Sequence, residues 1–483
     1  MVPAGFPGGL PGTSDRSEKW RKGEPPPVSP TTPPLLDDRR RAGVPCDVRR
    51  NRPVAVVGVQ RQRSALQGSR AGSSRRSKQL AMKLLTIPAV LAVFALEACA
   101  SQSSSITPAI DSAAMQSTGS ASYALEANVS AACPVPDASI AGAPQCYALY
   151  RTDAGAFAGK VVAAAKKPDG YGPSDFRSAY NLPTTGGKGQ TVGIVDFTDD
   201  PNAESDLAVY RAQYGLAPCT TKNGCFRKVN QNGNPGHFPK PNRGWGGEIS
   251  LDLDMASAAC PQCHILLVEA NSSGNTAENT AIALGADVVS NSWGYYGNAP
   301  FDKAFDHPGH IITVASGDSG YERRATIPDG FNTVVSVGGT SLRKATNARG
   351  WTETAWSGST SECNTNVKKP SWQLDTGCIG RTETDVSSVA DPATGVSVYD
   401  SYELPGWVVF GGTSAASPLV AGIYALAGNE KSLNYAQSLY TNAADLNDIT
   451  SGKNGNCNTY ICDAGPGYDG PTGNGTPNGL KAF

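Results

Sequence analysis

The sequence predicts an α/β fold: one open domain with a mostly parallel central sheet and helices on both faces. Three observations point there. Short apolar runs recur at residues 191–197 (TVGIVDF), 264–270 (HILLVEA), 286–293 (ADVVSNSW), 310–315 (HIITVA), 333–338 (TVVSVG) and 407–411 (WVVFG). Each run is continuous rather than alternating, the pattern of a strand buried on both faces. Helix-like segments at 203–214, 247–259, 276–284 and 414–427 lie among them, and strand–helix alternation implies right-handed crossovers in a single sheet. In that architecture reactive groups gather beyond the carboxyl ends of the strands.

Composition agrees. Among 483 residues, 17% are charged and 39% hydrophobic, with 54 Gly and 35 Pro, a mix that suits a loop-rich globular chain. The net charge of −1 leaves no broad field to attract a polyanion, so nucleic acid is not an expected partner.

The N-terminal part reads differently. Residues 1–81 carry Arg-rich clusters among Pro, Gly and Ser without a hydrophobic period, and are expected to be a disordered extension or a mis-set gene start. At Met82 the character changes: Lys83 precedes an uncharged, mostly apolar run at 84–96, and Ala98-Cys99-Ala100 follows. That is the layout of a secretory signal peptide over 82–100, with an apolar part too short to span a membrane. A lipid anchor on Cys99 is the alternative. Residues 101–165, rich in Ala, Ser and Gly, read as a short leader or propeptide, and 166–483 as the folded domain.

Setting aside Cys46 and Cys99 leaves ten of the twelve cysteines, in close pairs: Cys133/Cys146, Cys219/Cys225, Cys260/Cys263, Cys363/Cys378 and Cys457/Cys462. In a secreted chain such spacing reads as five local disulfides. Zinc is a weak alternative, because only one Cys-x-x-Cys pair exists.

The strongest chemical signal is GGTSAASP at 411–418. A strand runs into glycines that allow a tight turn, and Ser414 opens an apolar helix whose free N–H groups favour developing negative charge. Pro418 is expected in the first helical turn, where its missing N–H costs little. Ser414 could equally be a plain helix cap.

A serine nucleophile needs a base. The four histidines (His237, His264, His307 and His310) offer no suitable context. Two carboxylates do: in GEISLDLD, Glu248 and Asp252 are four residues apart, so on a helix they share a face. Held together they cannot both ionise easily, so the pair can carry one proton. Glu248 then accepts the Ser414 proton while Asp252 orients it. The competing reading is an acidic, solvated first turn, and Asp254 fits that description.

On four blocks, GEISLDLD, Ser316-Gly317-Asp318-Ser319-Gly320, GGTSAASP and a C-terminal Gly/Asp-rich stretch, the chain resembles the sedolisin, or serine-carboxyl peptidase, family. The resemblance implies a subtilisin-like three-layer α/β/α sandwich and secreted, acid-leaning endopeptidase activity on protein or peptide substrates. It also implies a Ser-Glu-Asp triad and a monomer. It makes Asp318 an oxyanion-hole acid, which can donate a hydrogen bond only when protonated. Asp196, ending the first strand, resembles an additional acid behind the triad in some sedolisins. Ser292, Trp293 and Gly294 resemble the edge segment that pairs with substrate backbone by strand addition. The last block implies one structural calcium ion held by the Asp448 and Asp469 side chains and the carbonyls of Ile449, Gly465 and Gly467, hard oxygen ligands that calcium prefers. The departure is the leader: sedolisins usually carry a long folded propeptide, and residues 101–165 are too few for one. Rival readings are a non-catalytic calcium-binding homologue and a histidine-dependent subtilisin-type protease using Asp196.

Overall fold

The computed structural model describes residues 126–133, 143–159, 167–322, 326–402 and 404–483. The extension at 1–81, the signal peptide at 82–100, Cys46 and Cys99 lie outside the described residues. In chain order the strands that matter begin with β1 (Val129–Ala131), β2 (Gln145–Cys146), β3 (Leu149–Arg151), β4 (Thr191–Phe197), β5 (Phe226–Asn230) and β6 (His264–Ala270). They continue with β7 (Val288–Asn291), β8 (Trp293–Tyr296), β9 (Ile311–Ala315), β10 (Thr326–Ile327), β11 (Val335–Lys344) and β12 (Trp351–Ala355). The series ends with β13 (Glu362–Lys368), β14 (Gly380–Glu383), β15 (Val386–Val389), β16 (Val396–Asp400) and β17 (Gly406–Gly411). The main helices are α1 (Pro173–Ala179), α2 (Ala203–Gln213), α3 (Arg243–Ala259), α4 (Gly274–Ala283) and α5 (Thr413–Ala427).

The central sheet has the order β12-β11-β9-β7-β4-β6-β5, with β15 also paired to β11. Its pairings are parallel except for β11 with β12 at one edge. The continuous apolar runs are explained by two separate cores. Val192, Ile194, Ile265, Leu267, Val288 and Ile311 face one; Val195, Phe197, Leu266, Val268, Val289, Ile312 and Val314 face the other. Successive side chains of a strand point to opposite faces, so a strand covered on both sides must be apolar throughout. Helices α3 and α5 contribute to the first core and Ala277 and Ala281 of α4 to the second, giving the three-layer α/β/α sandwich.

Helix α3 begins one turn earlier than the sequence pattern indicates. Asn242 caps it, accepting from the N–H groups of Gly244 (3.0 Å) and Trp245 (3.3 Å). From Gly244 to Ala259 every residue of α3 is buried, which corrects the solvated reading of Asp254: its Oδ2 accepts from the Tyr399 N–H at 3.0 Å. The helix packs directly on α5, where a Cβ added at Gly422 would lie 2.6 Å from the Ala259 Cβ.

Two further expectations change. Residues 407–411 do form a strand, yet β17 is not in the parallel sheet. It belongs to a four-stranded antiparallel sheet of order β1-β3-β17-β16, because its apolar residues are covered by a hairpin partner and by the segment before residue 152. Pro418 sits in the second turn of α5, not the first; there its missing N–H frees the Ser414 carbonyl from the usual helical bond.

The stretch read as a leader contributes strands to the domain. β1 and β3 join β17, and β2 pairs with β8. All five close cysteine pairs are disulfides. Among the described residues no helix is long and apolar enough to cross a membrane.

Candidate active site

Strand β17 ends at Gly411, and Gly412 turns the chain into α5 with φ of +92°, a conformation open to glycine and strained for other residues. A side chain at Gly412 would also collide with its surroundings, since an added Cβ would lie 1.8 Å from the Tyr147 carbonyl oxygen and 2.7 Å from Asp318 Oδ2. The turn sets Ser414 at the head of α5, fully buried.

Across from it, α3 presents Glu248 and Asp252, both wholly buried. Ser414 and Asp252 both lie near enough to Glu248 to bias its protonation or be biased by it; the Ser414 hydroxyl itself donates to the Ser292 carbonyl at 3.4 Å, and Glu248 Oε1 and Asp252 Oδ2 are buried without a hydrogen-bond partner. Glu248 Oε2 additionally accepts the Ala148 N–H at 2.8 Å. Asp252 Oδ1 accepts the Ser292 hydroxyl at 2.9 Å, and that hydroxyl stands 3.5 Å from the Ser414 carbonyl released by Pro418. The four-residue spacing on one helix thus makes a line from Ser414 through Glu248 to Asp252.

Electrostatically the site is acidic, and no cation faces it among the described residues. Burial, reinforced by the charge of Asp196, pushes both Glu248 and Asp252 well above the usual carboxylate range. Asp196, at the carboxyl end of β4, is itself buried, with neither oxygen hydrogen-bonded among the described residues, and burial raises its pKa to about 8. The two helix carboxyls differ in their donors. The Ser414 hydroxyl and the Ala148 N–H stabilise an ionised Glu248, whereas the nearby Glu248 favours a protonated Asp252. When the pair carries a single proton, these neighbours favour its residing on Asp252 rather than Glu248.

Asp318 follows β9 and closes the other side. Its Oδ1 accepts from the Thr413 N–H and the Thr413 hydroxyl, both at 2.8 Å. Its Oδ2 is buried without a hydrogen-bond partner. Burial raises its pKa to about 7, so in acid Oδ2 can carry a proton and is an unpartnered donor next to Gly412.

These features select among relatives. The sequence profile of the subtilase family matches residues 241–459. Kumamolisin from Bacillus sp. (strain MN-32) is 31% identical over 381 residues, 69% of this chain and 66% of its own length. The chain belongs to the sedolisin family. Tripeptidyl-peptidase sed1 from Aspergillus fumigatus is 37% identical over 108 residues, 21% of this chain and 16% of its own. The solved structure of Pseudomonas sedolisin, a serine-carboxyl proteinase, superimposes with a TM-score of 0.55 at 25% identity, covering 65% of this chain and 96% of that one.

The remaining sequence-predicted residues fall into three groups. Trp293 is core, its Nε1–H donating to the Val195 carbonyl at 2.8 Å, and the backbone of Trp293 and Gly294 does receive an added strand, which is the chain's own β2. Asp448 and Asp469 come together at the C-terminal loop: Asp448 Oδ2 accepts the Gly467 N–H and Asp469 Oδ2 the Gly465 N–H, each at 3.0 Å. The charge of Asp448 is felt at Asp469, neither carboxylate has an ion-pair partner among the described residues, and the Cys457–Cys462 disulfide lies in the same loop region. No described cluster contains three or more His, Cys, Asp or Glu side chains arranged for a metal, so only a shell completed by carbonyl oxygens fits here. Two of the histidines have partners of their own: His307 Nε2 and His310 Nδ1 engage the carbonyls of Ala304 and Ala286, each at 2.9 Å.

Sequence reasoning missed Ala148, whose N–H reaches Glu248 across 100 residues. A strand of two or three residues before the first apolar run has no periodicity to reveal it.

Proposed function

We propose that the chain is a secreted serine-type endopeptidase that cuts protein or peptide substrates through a Ser414–Glu248–Asp252 triad and an acyl-enzyme. One observation carries the reading: a serine at a buried helix head lies close to a buried carboxyl, itself close to a second on the same helix, with no histidine or cation among the described residues there to do the same work. Ser414 Oγ attacks the scissile carbonyl as Glu248 takes its proton, and Glu248 returns the proton to the departing amine. Asp252 steadies the proton on the pair. Asp318, protonated, donates to the oxyanion, and Asp196 holds the site acidic and its carboxyls partly protonated.

Acid preference follows from two limbs. Asp318, with its pKa near 7, loses its donor proton as pH rises, and the Glu248–Asp252 pair loses its base as a second proton binds at low pH. Secretion is supported by the five disulfides, which persist in an oxidising compartment.

We also assign one structural calcium ion to the side chains of Asp448 and Asp469 and the carbonyls of Ile449, Gly465 and Gly467. It would neutralise two facing carboxylates and pin the C-terminal loop.

The test is hydrolysis of an unfolded protein between pH 3 and 8, read by mass spectrometry for wild type, Ser414→Ala and a variant with all four histidines replaced. The proposal expects loss in the first variant only. Proteolysis surviving Ser414→Ala would refute it.

A further inference from the structure

The cleft contains a slot shaped for one side chain, and the ring of Tyr147 marks it. Gln145 and Cys146 pair antiparallel with Gly294 and Trp293, as an extended peptide pairs with a sheet edge. The Tyr147 N–H donates to the Ser292 carbonyl at 3.2 Å, the carbonyl that the Ser414 hydroxyl approaches at 3.4 Å. The Tyr147 carbonyl oxygen and Asp318 Oδ2 both border the space in front of Gly412. Tyr147 therefore stands in for the substrate residue whose carbonyl is attacked, and its ring for that residue's side chain.

Two glycines wall the slot. A Cβ at Gly294 would lie 2.4 Å from the Tyr147 Oη, and one at Gly317, where φ is +107°, 3.6 Å from its Cζ. Bare backbone on both sides admits a flat ring or a long stem. Ser319, Thr326 and Thr360 line the space beside the ring.

Behind the ring the protein buries acid. Asp329, Glu362 and Glu383 are 0, 2 and 0% exposed. Glu362 and Glu383 stand directly opposite each other on β13 and β14, an arrangement that destabilises a strand pair unless the charges are used or neutralised. Asp329 follows β10, its Oδ2 accepting the Thr326 hydroxyl at 2.9 Å. One oxygen of each carboxyl (Asp329 Oδ1, Glu362 Oε1 and Glu383 Oε2) is buried without a hydrogen-bond partner. The floor is felt in the slot. Burial first, then the charges of Asp329, Asp318, Tyr296 and Glu383, oppose ionisation of the Tyr147 hydroxyl. The positive charge acting on Asp329 and Glu383 is Arg381, which is already bound to Asp385 through two hydrogen bonds of 2.8 and 2.6 Å. Glu322 adds further negative charge at Glu362.

We infer that this slot is a specificity pocket for a basic side chain, a lysine or arginine on the acyl side of the cleaved bond, whose cation meets Asp329 and Glu383 with Glu362 behind them. The inference deepens the proposed peptidase reading and rests on it. Lysine and arginine match the reach of tyrosine between the glycine walls and bring the positive charge that the floor lacks.

A cation can pair with the floor only after a carboxyl gives up its proton. Burial is the main cause that raises all three: Asp329 to about 6, Glu362 to about 8 and Glu383 well above the ordinary range. Asp329 ionises first, so entry of a basic residue below about pH 6 expels its proton. The advantage of lysine over tyrosine should then grow from pH 4 to 6, by up to about tenfold per unit for one proton.

Peptides that differ only in the residue before the cleaved bond (lysine, arginine, glutamine or tyrosine) are hydrolysed between pH 4 and 7. The enzymes are wild type and a Tyr147→Ala chain, which empties the slot, each with and without Asp329→Asn or Glu383→Gln. Lysine and arginine should exceed glutamine in kcat/KM by about tenfold or more at pH 6. Asp329→Asn should lower the lysine-to-tyrosine ratio by a similar factor and flatten its rise with pH, whereas a merely structural role would lower all four peptides together. Binding gives a readout independent of catalysis. The Tyr147→Ala/Ser414→Ala chain, its folding checked by thermal melting, is titrated with benzamidine and with neutral benzamide. Tighter binding of benzamidine, with release of a proton, is expected. Cleavage that favours tyrosine or glutamine throughout, or a ratio unmoved by both floor variants, would overturn the inference and leave the peptidase reading standing. Hydrolysis of none of the peptides, with benzamidine still preferred, would defeat the peptidase reading while the cation pocket survives. No preference for benzamidine would overturn the pocket.

Discussion

In the proposed mechanism Ser414 acts as a nucleophile because two carboxyls lie near it. Its replacement by alanine should lower turnover about 10⁴-fold or more, with binding of substrate retained. At Asp318 the chemistry can be separated from the charge. Asp318→Ala removes a donor from the reacting oxygen and should cost about 10²–10³ in kcat. Asp318→Asn keeps an N–H donor at every pH, so it should retain more activity and lose the fall near neutrality. A pH–rate profile whose alkaline limb is unchanged in Asp318→Asn would show that another group sets it. Asp196 touches neither serine nor oxyanion donor, and its effect is exerted through the protonation of Glu248 and Asp252.

Between elements, the decisive contact is α3 against α5, since one carries the carboxyls and the other the serine. Gly422 lets the helices approach until an added Cβ would meet Ala259 at 2.6 Å. Gly422→Ala should therefore destabilise by about 1–3 kcal/mol through overpacking and, by spreading the helices, lower kcat more than it raises KM. Thermal unfolding and steady-state kinetics on the same preparation check both. The C-terminal loop makes a parallel claim. Chelation should lower the melting temperature and added calcium restore it, by about 2.7 kcal/mol at a hundredfold excess over Kd; in Asp448→Ala the two conditions should give the same melting curve.

For the whole molecule, burial of acids without cations sets the pH dependence of stability. Asp196, Glu278 and Glu362 are raised to about 8 and Asp318 to about 7, in each case chiefly by burial. A carboxyl with a raised folded pKa takes up a proton on folding. Its contribution is complete below the unfolded value near 4 and is lost as pH rises through the folded value. The protein should be most stable in acid and lose stability steadily between about pH 4 and 8, by up to about 1.4 kcal/mol per pH unit for each such group. A melting temperature that climbs over this range would contradict the assignment. Stability and proposed activity then share one cause, a site built from carboxyls that must keep some of their protons.

The α/β class, the Glu248–Asp252 helix, the serine at the head of α5 and five disulfides could all be read from the chain, because each is encoded locally. Continuous apolar runs, a four-residue spacing, a glycine turn and close cysteine pairs are signals carried by neighbours in sequence. What only the tertiary structure decided was long-range. It put β17 into a separate antiparallel sheet, buried Asp254, left Asp318 Oδ2 unpartnered next to Gly412, and brought the Ala148 N–H to Glu248. Strands of two or three residues carry no period of their own. The positions of β2 and β3 follow from pairing with β8 and β17, strands far away in the chain, and such pairing leaves no mark on local sequence.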